Sequence, residues 1–206
     1  MAAMREREGK AGGHMKQTRK WAQTIVILTM AAVTLSCSNE LTRSAAPVEL
    51  VVTNSQTLNT IDLFPLAENC NQNIATVNIR AILKSPTQEV NQQFNDVRIT
   101  RYRVSYLRTD GGSLVPASFV RSIDLFISAG GASELGSFLA FQSEALSQAP
   151  FAALLPQNGG RDPETGRTTV RMDVILDLFG ETLAGANVAG RTRIPLDFCY
   201  DCGGCS

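Results

Sequence analysis

From residue 48 onward apolar and polar positions alternate with period two over most of the chain. Such alternation puts one set of side chains on a core face and the other in water, so it predicts strands. Val48, Leu50 and Val52 alternate with Glu49, Val51 and Thr53. Residues 60–66 form a short apolar segment interrupted by Pro65, which confines it to a sheet edge. Ala75, Val77, Ile79, Ala81 and Leu83 then alternate with Thr76, Asn78, Arg80, Ile82 and Lys84, and a loop at 85–95 follows.

In the next strand, 97–107, the phase changes. Val97 and Ile99 place odd positions inward, whereas Tyr102, Val104 and Tyr106 demand even ones. One extra residue near Thr100–Arg101 reconciles the two halves, which predicts a β-bulge. Asp110-Gly111 marks a tight turn. Ile123, Leu125 and Ile127 alternate in a further strand closed by Ala129-Gly130-Gly131, and 135–141 is read as another. Residues 143–155 are rich in Ala and Leu but contain Pro150, which limits them to a short helical crossover. A polar loop at 156–167 is dense in turn residues. The strongest alternation comes last. Val170, Met172, Val174, Leu176 and Leu178 form one face, a turn falls at 184–187, and Val188, Thr192, Ile194, Leu196 and Phe198 form the next. That is a long hairpin, and Pro195 sets its second strand at or near a sheet edge.

These segments predict an all-β fold, a single seven-stranded antiparallel β-sandwich with one short helical crossover. Over 48–198 the pattern resembles immunoglobulin-like and fibronectin type III-like domains. A closed barrel is the alternative.

Residues 1–36 have a different character. Lys16, Arg19 and Lys20 precede an uncharged apolar run at 25–35, too short for a membrane span of about 20 residues. A basic segment, a short apolar run and small residues at its end describe a secretory signal. Thr34-Leu35-Ser36-Cys37 resembles the lipobox of bacterial lipoproteins, with Thr34 where that family prefers Leu. The resemblance implies cleavage before Cys37 and acylation of its thiol. The mixed charge of 1–14 serves no signal, and Met15 is a natural start. The expected organisation is a leader at 1–36, a tether at 37–46, the β domain at 47–199 and a Cys-rich tail at 200–206.

Removing that leader changes the chemistry. The chain as a whole is neutral, but the part from Cys37 onward carries thirteen Lys and Arg against seventeen Asp and Glu, a net charge of −4. It offers no strongly basic surface for nucleic acid. His14 and Trp21, the single copies of their kinds, both lie in the leader. The rest of the chain therefore has no imidazole for a Ser-His-Asp or Cys-His arrangement or for metal ligation.

Four cysteines remain beyond Cys37: Cys70, Cys199, Cys202 and Cys205. Export favours structural disulfides among them, with Cys70 joined to one tail cysteine and the other two paired. Four-thiolate metal binding and free or redox-active thiols are the alternatives. Asp173 and Asp177 share one strand face about 13 Å apart, too far for a glycosidase pair, and read as solvated outer-face charges. Asn158, Asp162 and Glu164 are calcium candidates without the spacing of a calcium loop, so ordinary loop polarity is the simpler reading. Arg98, Arg101, Arg103 and Arg108 straddle the bulge and are either paired with acids on neighbouring strands or form an anion-binding stripe. No catalytic residues and no cofactor are expected.

The sequence thus points to a lipid-anchored protein of the bacterial envelope, at the outer membrane if the cell is Gram-negative. It reads as a non-catalytic binding or structural module with a protein or glycan partner. The competing class is an envelope enzyme using carboxylates or a C-x2-C thiol pair.

Overall fold

Wherever the period-two segments fall within the described residues, they fold as strands. The computed structural model describes residues 46–54, 59–64, 73–74, 76–85, 92–136 and 138–202. These contain β1 (Val48–Thr53), β2 (Asn59–Asp62), β3 (Asn73–Ile74), β4 (Val77–Leu83), β5 (Val97–Arg108), β6 (Phe119–Ile127), β7 (Ala132–Leu135), β8 (Phe138–Leu139), β9 (Thr169–Thr182) and β10 (Asn187–Cys199). The leader, Cys37, the tether up to Arg43-Ser44-Ala45, Cys70 and Cys205 lie outside the described residues. Among those described, no helix is long and apolar enough to cross a membrane.

The strands form a five-stranded sheet in the order β2-β10-β9-β5-β6, a three-stranded sheet β1-β4-β7 and a short ribbon β3-β8. All-β is therefore correct. Two details differ from the sequence reading. Ten strands are present among the described residues rather than seven, and the sheet is mixed, because β2 runs parallel to β10. Segment 135–141 is also two short strands, β7 and β8, which pair with β4 and β3 respectively. The helical crossover is a series of single 3-10 turns at Ser143–Ser147, Phe151–Leu154 and Pro156–Asn158.

The core sits on the inner face of the large sheet. Val170, Met172, Val174, Leu176 and Leu178 of β9 are fully buried, each such burial contributing about 1.5–3 kcal/mol. Ile194, Leu196 and Phe198 of β10 continue that face. Phe198 stacks with Phe151 and Phe141, so the crossover closes one side of the core with aromatic rings. The small sheet approaches through β1. A methyl group added at Gly190 on β10 would meet Val52 Cγ2 at 2.6 Å and Leu50 Cβ at 3.0 Å. Glycine at that position lets the two sheets close together.

Pro195 lies one strand in from the sheet edge, just before the segment of β10 that pairs with β2; among the described residues β2 reaches only 196–199, so none of them faces the missing Pro195 N–H. The expected bulge is also present, between Ile99 and Arg101. Against β9, Thr100 is the extra residue on β5; against β5, β6 carries one more in turn. Two stacked irregularities at one level bend the sheet, since each adds local twist. Gly180 faces the bulge. A Cβ there would fall on the Arg98 carbonyl oxygen and lie 2.8 Å from Ile99 Cα.

Backbone cannot rotate away as a side chain can. Gly180→Ala should therefore cost about 1–3 kcal/mol, the usual range for forced overpacking. Gly136→Ala, with open space around the added methyl, should stay within about 0.5 kcal/mol of the parent. Urea denaturation of both variants checks this, and equal midpoints would remove the bulge constraint.

Candidate functional site

Downstream of the bulge, odd positions of β5 point to the outer face of the large sheet. The register then builds a compact array across three strands. Arg103 of β5 lies opposite Asp177 of β9, which lies opposite Arg191 of β10. One step along, Arg101 lies opposite Phe179; one step the other way, Ile175 lies opposite Arg193.

Asp177 corrects the sequence reading. Its side chain is 0% exposed although it sits on the outer face, because two guanidiniums cover it. Arg103 donates through Nε at 3.1 Å and through Nη2 at 2.8 Å to Asp177 Oδ2. Arg191 donates through Nε to Oδ1 at 2.5 Å and through Nη2 to Oδ2 at 3.3 Å. The hydrogen bond to Asp177 raises the Arg191 pKa further above its ordinary value, outweighing desolvation. A buried carboxylate needs such pairing, since an uncompensated one would be strongly destabilising. The arginines themselves stay open, with side chains 41% and 44% exposed. Only Nε and Nη2 of each reach Asp177, which leaves the Nη1 groups as donors for another anion.

Arg101 completes the array. Its guanidinium lies 5.1 Å from the Phe179 ring centroid, and that of Arg103 lies 5.6 Å from the same ring. Both are within cation–π range. Among the described residues Arg101 pairs with no carboxylate. Two guanidiniums thus cover one carboxylate, and Arg101 shares the Phe179 ring with one of them, with Arg193 farther along β10. Arg98, farther along, is paired with Asp124 in an exposed bidentate bridge. Of the four arginines singled out from sequence, two join this array. Arg191, Arg193 and the central role of Asp177 were missed. The available signal was the β9–β10 hairpin, whose turn fixes Arg191 across from Asp177.

Arg108 has the opposite surroundings. At the end of β5 its side chain is 1% exposed, and it donates to Asp110 at 2.7 and 2.8 Å and to Asp162 at 2.9 Å. It also donates to the Leu114 carbonyl at 3.1 Å. Asp162 Oδ2 additionally accepts from the Thr165 amide and hydroxyl. Glu164 accepts from the amides of Ser113 and Leu114 at 2.7 Å and from the Ser113 hydroxyl. Asn158 turns its amide to the Ala152 carbonyl. The three calcium candidates therefore each serve the protein's own donors and acceptors. The polar loop at 156–167 is bolted to the 109–118 loop through a buried guanidinium. Among the described residues no three His, Cys, Asp or Glu side chains gather as a cation site.

At the tail, Cys199 and Cys202 form a disulfide. Asp62 of β2 accepts from the amides of Asp201 and Cys202 at 2.9 Å, and Tyr200 packs edge-on against Phe64. The beginning of the tail is thus held on the body by β2. No protein-family model and no curated protein matches the chain.

Burial pushes the Asp110 carboxyl up, but the Arg108 hydrogen bond, the amides of Arg171 and Gly112 and the guanidinium charge together hold it at about 2. A carboxylate depressed on folding stabilises the fold above its unfolded pKa, near 3.8, and that contribution is lost as pH falls toward 2. Asp110→Asn should accordingly cost on the order of 2 kcal/mol at neutral pH. It should also flatten the loss of stability between about pH 4 and pH 2. Urea midpoints measured across that window are the check; an unaltered acid slope would show that Asp110 is not the titrating group.

Proposed function

We propose that this chain is an exported, lipid-anchored module of the bacterial envelope that binds an acidic partner, protein or glycan, without catalysing a reaction. One observation carries the binding reading: the half-exposed Arg103–Asp177–Arg191 clamp with Arg101 over Phe179. The clamp concentrates positive charge on one face of a chain whose part beyond Cys37 carries a net charge of −4. The buried carboxylate holds two guanidiniums in fixed geometry, so little side-chain entropy is lost when an anion arrives. Charge complementarity of this kind steers encounter and sets specificity.

For the architecture we propose an immunoglobulin-like or fibronectin type III-like sandwich. The apposition of β1 to β10 across the core supports it. The parallel β2–β10 pair is its departure from a fully antiparallel arrangement. An enzyme using carboxylates is less well supported, because Asp162, Glu164 and Asp177 are each saturated by donors of the protein itself. The anchor is Cys37, in the lipobox-like Thr34-Leu35-Ser36-Cys37. Two or more acyl chains would make anchoring stable where one is marginal.

Cys37→Ser should abolish acylation and processing and release the protein from the membrane fraction. Persistence of both would end the lipoprotein reading. The binding face is tested separately with polyglutamate as the probe at low salt. Arg101 pairs with no carboxylate among the described residues and gives up only its contact with the Phe179 ring, so Arg101→Gln should cost at most about 1 kcal/mol of stability and weaken binding roughly tenfold, the worth of one charge-assisted hydrogen bond. Arg80→Gln, on the other sheet, should have little effect. Equal losses for the two variants would mean diffuse attraction rather than a site.

A further inference from the structure

The two ends of the domain are built differently, and one of them lies where the chain enters. Pro47 accepts from the Lys84 amide at 2.9 Å, and Val48 pairs with Leu83, so β1 begins beside the end of β4. Two steps back along β4, Ala81 exchanges backbone hydrogen bonds with Gly130 and Gly131 of the β6–β7 turn. The next residue of that turn, Ala129, donates to Asp96 at 2.7 Å. Asp96 and Phe94 in turn accept from the amides of Leu183 and Ala184 in the β9–β10 turn, at 2.9 and 3.0 Å. A continuous set of hydrogen bonds, all between backbone groups except the one to the Asp96 carboxylate, therefore joins the point of entry to three turns.

That end displays apolar side chains. Phe94 is 58% exposed and Leu183 is 54% exposed, each on its own turn. Phe126 and Ile82, one residue from the ends of β6 and β4, are exposed as well. Among the described residues the charged groups nearby are Glu49, Glu181 and the Arg98–Asp124 pair on strands, Lys84 just past β4, and Asp96 beside Phe94, whose carboxylate is engaged by the Ala129 amide. The opposite end carries the buried Arg108 cluster and the charged 156–167 loop, and exposes Leu107, Leu114 and Val115 among those charges.

We propose that the Phe94–Leu183 end is a lipid-contact surface, seated on the membrane that holds the acyl chains of Cys37. The inference rests on the lipid-anchor reading. Cys37 precedes Ala46 by nine residues, which span at most roughly 30 Å. A domain tethered so closely meets the lipid surface at high effective concentration, so two shallowly inserted side chains suffice where they would not bind alone. Aromatic and large aliphatic side chains on protruding turns are suited to the headgroup boundary. Seated this way, the domain would stand with its strands running away from the bilayer and its arginine face at the side.

Single-tryptophan versions of the full chain test this. Trp21 is the single native tryptophan, so Trp21→Phe is combined in turn with Phe94→Trp, Leu183→Trp and, at the opposite end, Leu114→Trp. Each protein is purified from bacterial membranes and reconstituted in vesicles of phosphatidylethanolamine and phosphatidylglycerol, with or without brominated acyl chains. Bromine should quench the Phe94→Trp and Leu183→Trp indoles about twofold and leave Leu114→Trp nearly untouched. Equal quenching at the two ends, or none at either tip, overturns the inference. Mass spectrometry of the N-terminal peptide, run on the same samples, reports the anchor independently. An acylated Cys37 with unquenched tips refutes only the seating, whereas an unmodified Cys37 on a soluble protein refutes the anchor and the seating with it.

Discussion

One inserted residue decides which way half of β5 faces. Before Thr100 the inward positions are Val97 and Ile99; after it they are Tyr102 and Val104. Because side chains alternate strictly, a strand without the bulge would send Arg101 and Arg103 into the core and Tyr102 and Val104 to solvent. The irregularity is fixed from the other side by Gly180, where any side chain would collide with β5 backbone. Sheet curvature, core composition and the outer-face charge array all follow from that single register change.

Downstream of the bulge the same chemistry appears twice with opposite consequences. Asp177 is buried between two arginines that remain half exposed, and Arg108 is buried among carboxylates that satisfy it from several sides. In the Arg108 cluster the donors are all engaged, amides included, and the product is a rigid junction of two loops. Burial works against the Arg108 charge, yet the bonds to Asp110 and Asp162 more than offset it and raise its pKa. In the Asp177 array the carboxylate is saturated while the cations are not. The difference lies in which partner is in the minority. One cation among three carboxylates closes a structure; one carboxylate between two cations leaves attraction to spare.

Much of this fold was legible because alternation is a local signal. The phase change from Ile99 to Tyr102 located the bulge, and Pro195 placed its strand near a sheet edge, without reference to any other strand. What alternation does not contain is the lateral neighbour. Asp173 and Asp177 are equivalent in sequence pattern, yet only Asp177 falls between Arg103, 74 residues earlier, and Arg191, 14 later. Asp162 sits in a loop that reads as solvated, and a guanidinium 54 residues away buries it. The clue was Arg108 itself, a charge at an inward position of β5 that had to find a buried counterion. The parallel pairing of β2 was illegible for a related reason: four residues of weak pattern carry no record of strand direction.

The array also bears on the choice between binding and catalysis. A general acid or base must hold a proton at a usable pKa and reach a substrate. Asp110, Asp162 and Glu164 are each drawn below the ordinary carboxylate range by donors that surround them. A carboxylate stabilised as an anion in this way is a poor proton carrier near neutrality and a good fastener. Guanidiniums, by contrast, stay charged at any ordinary pH. A face composed of arginines held by one buried acid can attract and orient an anion, and its polar chemistry supports recognition more readily than turnover.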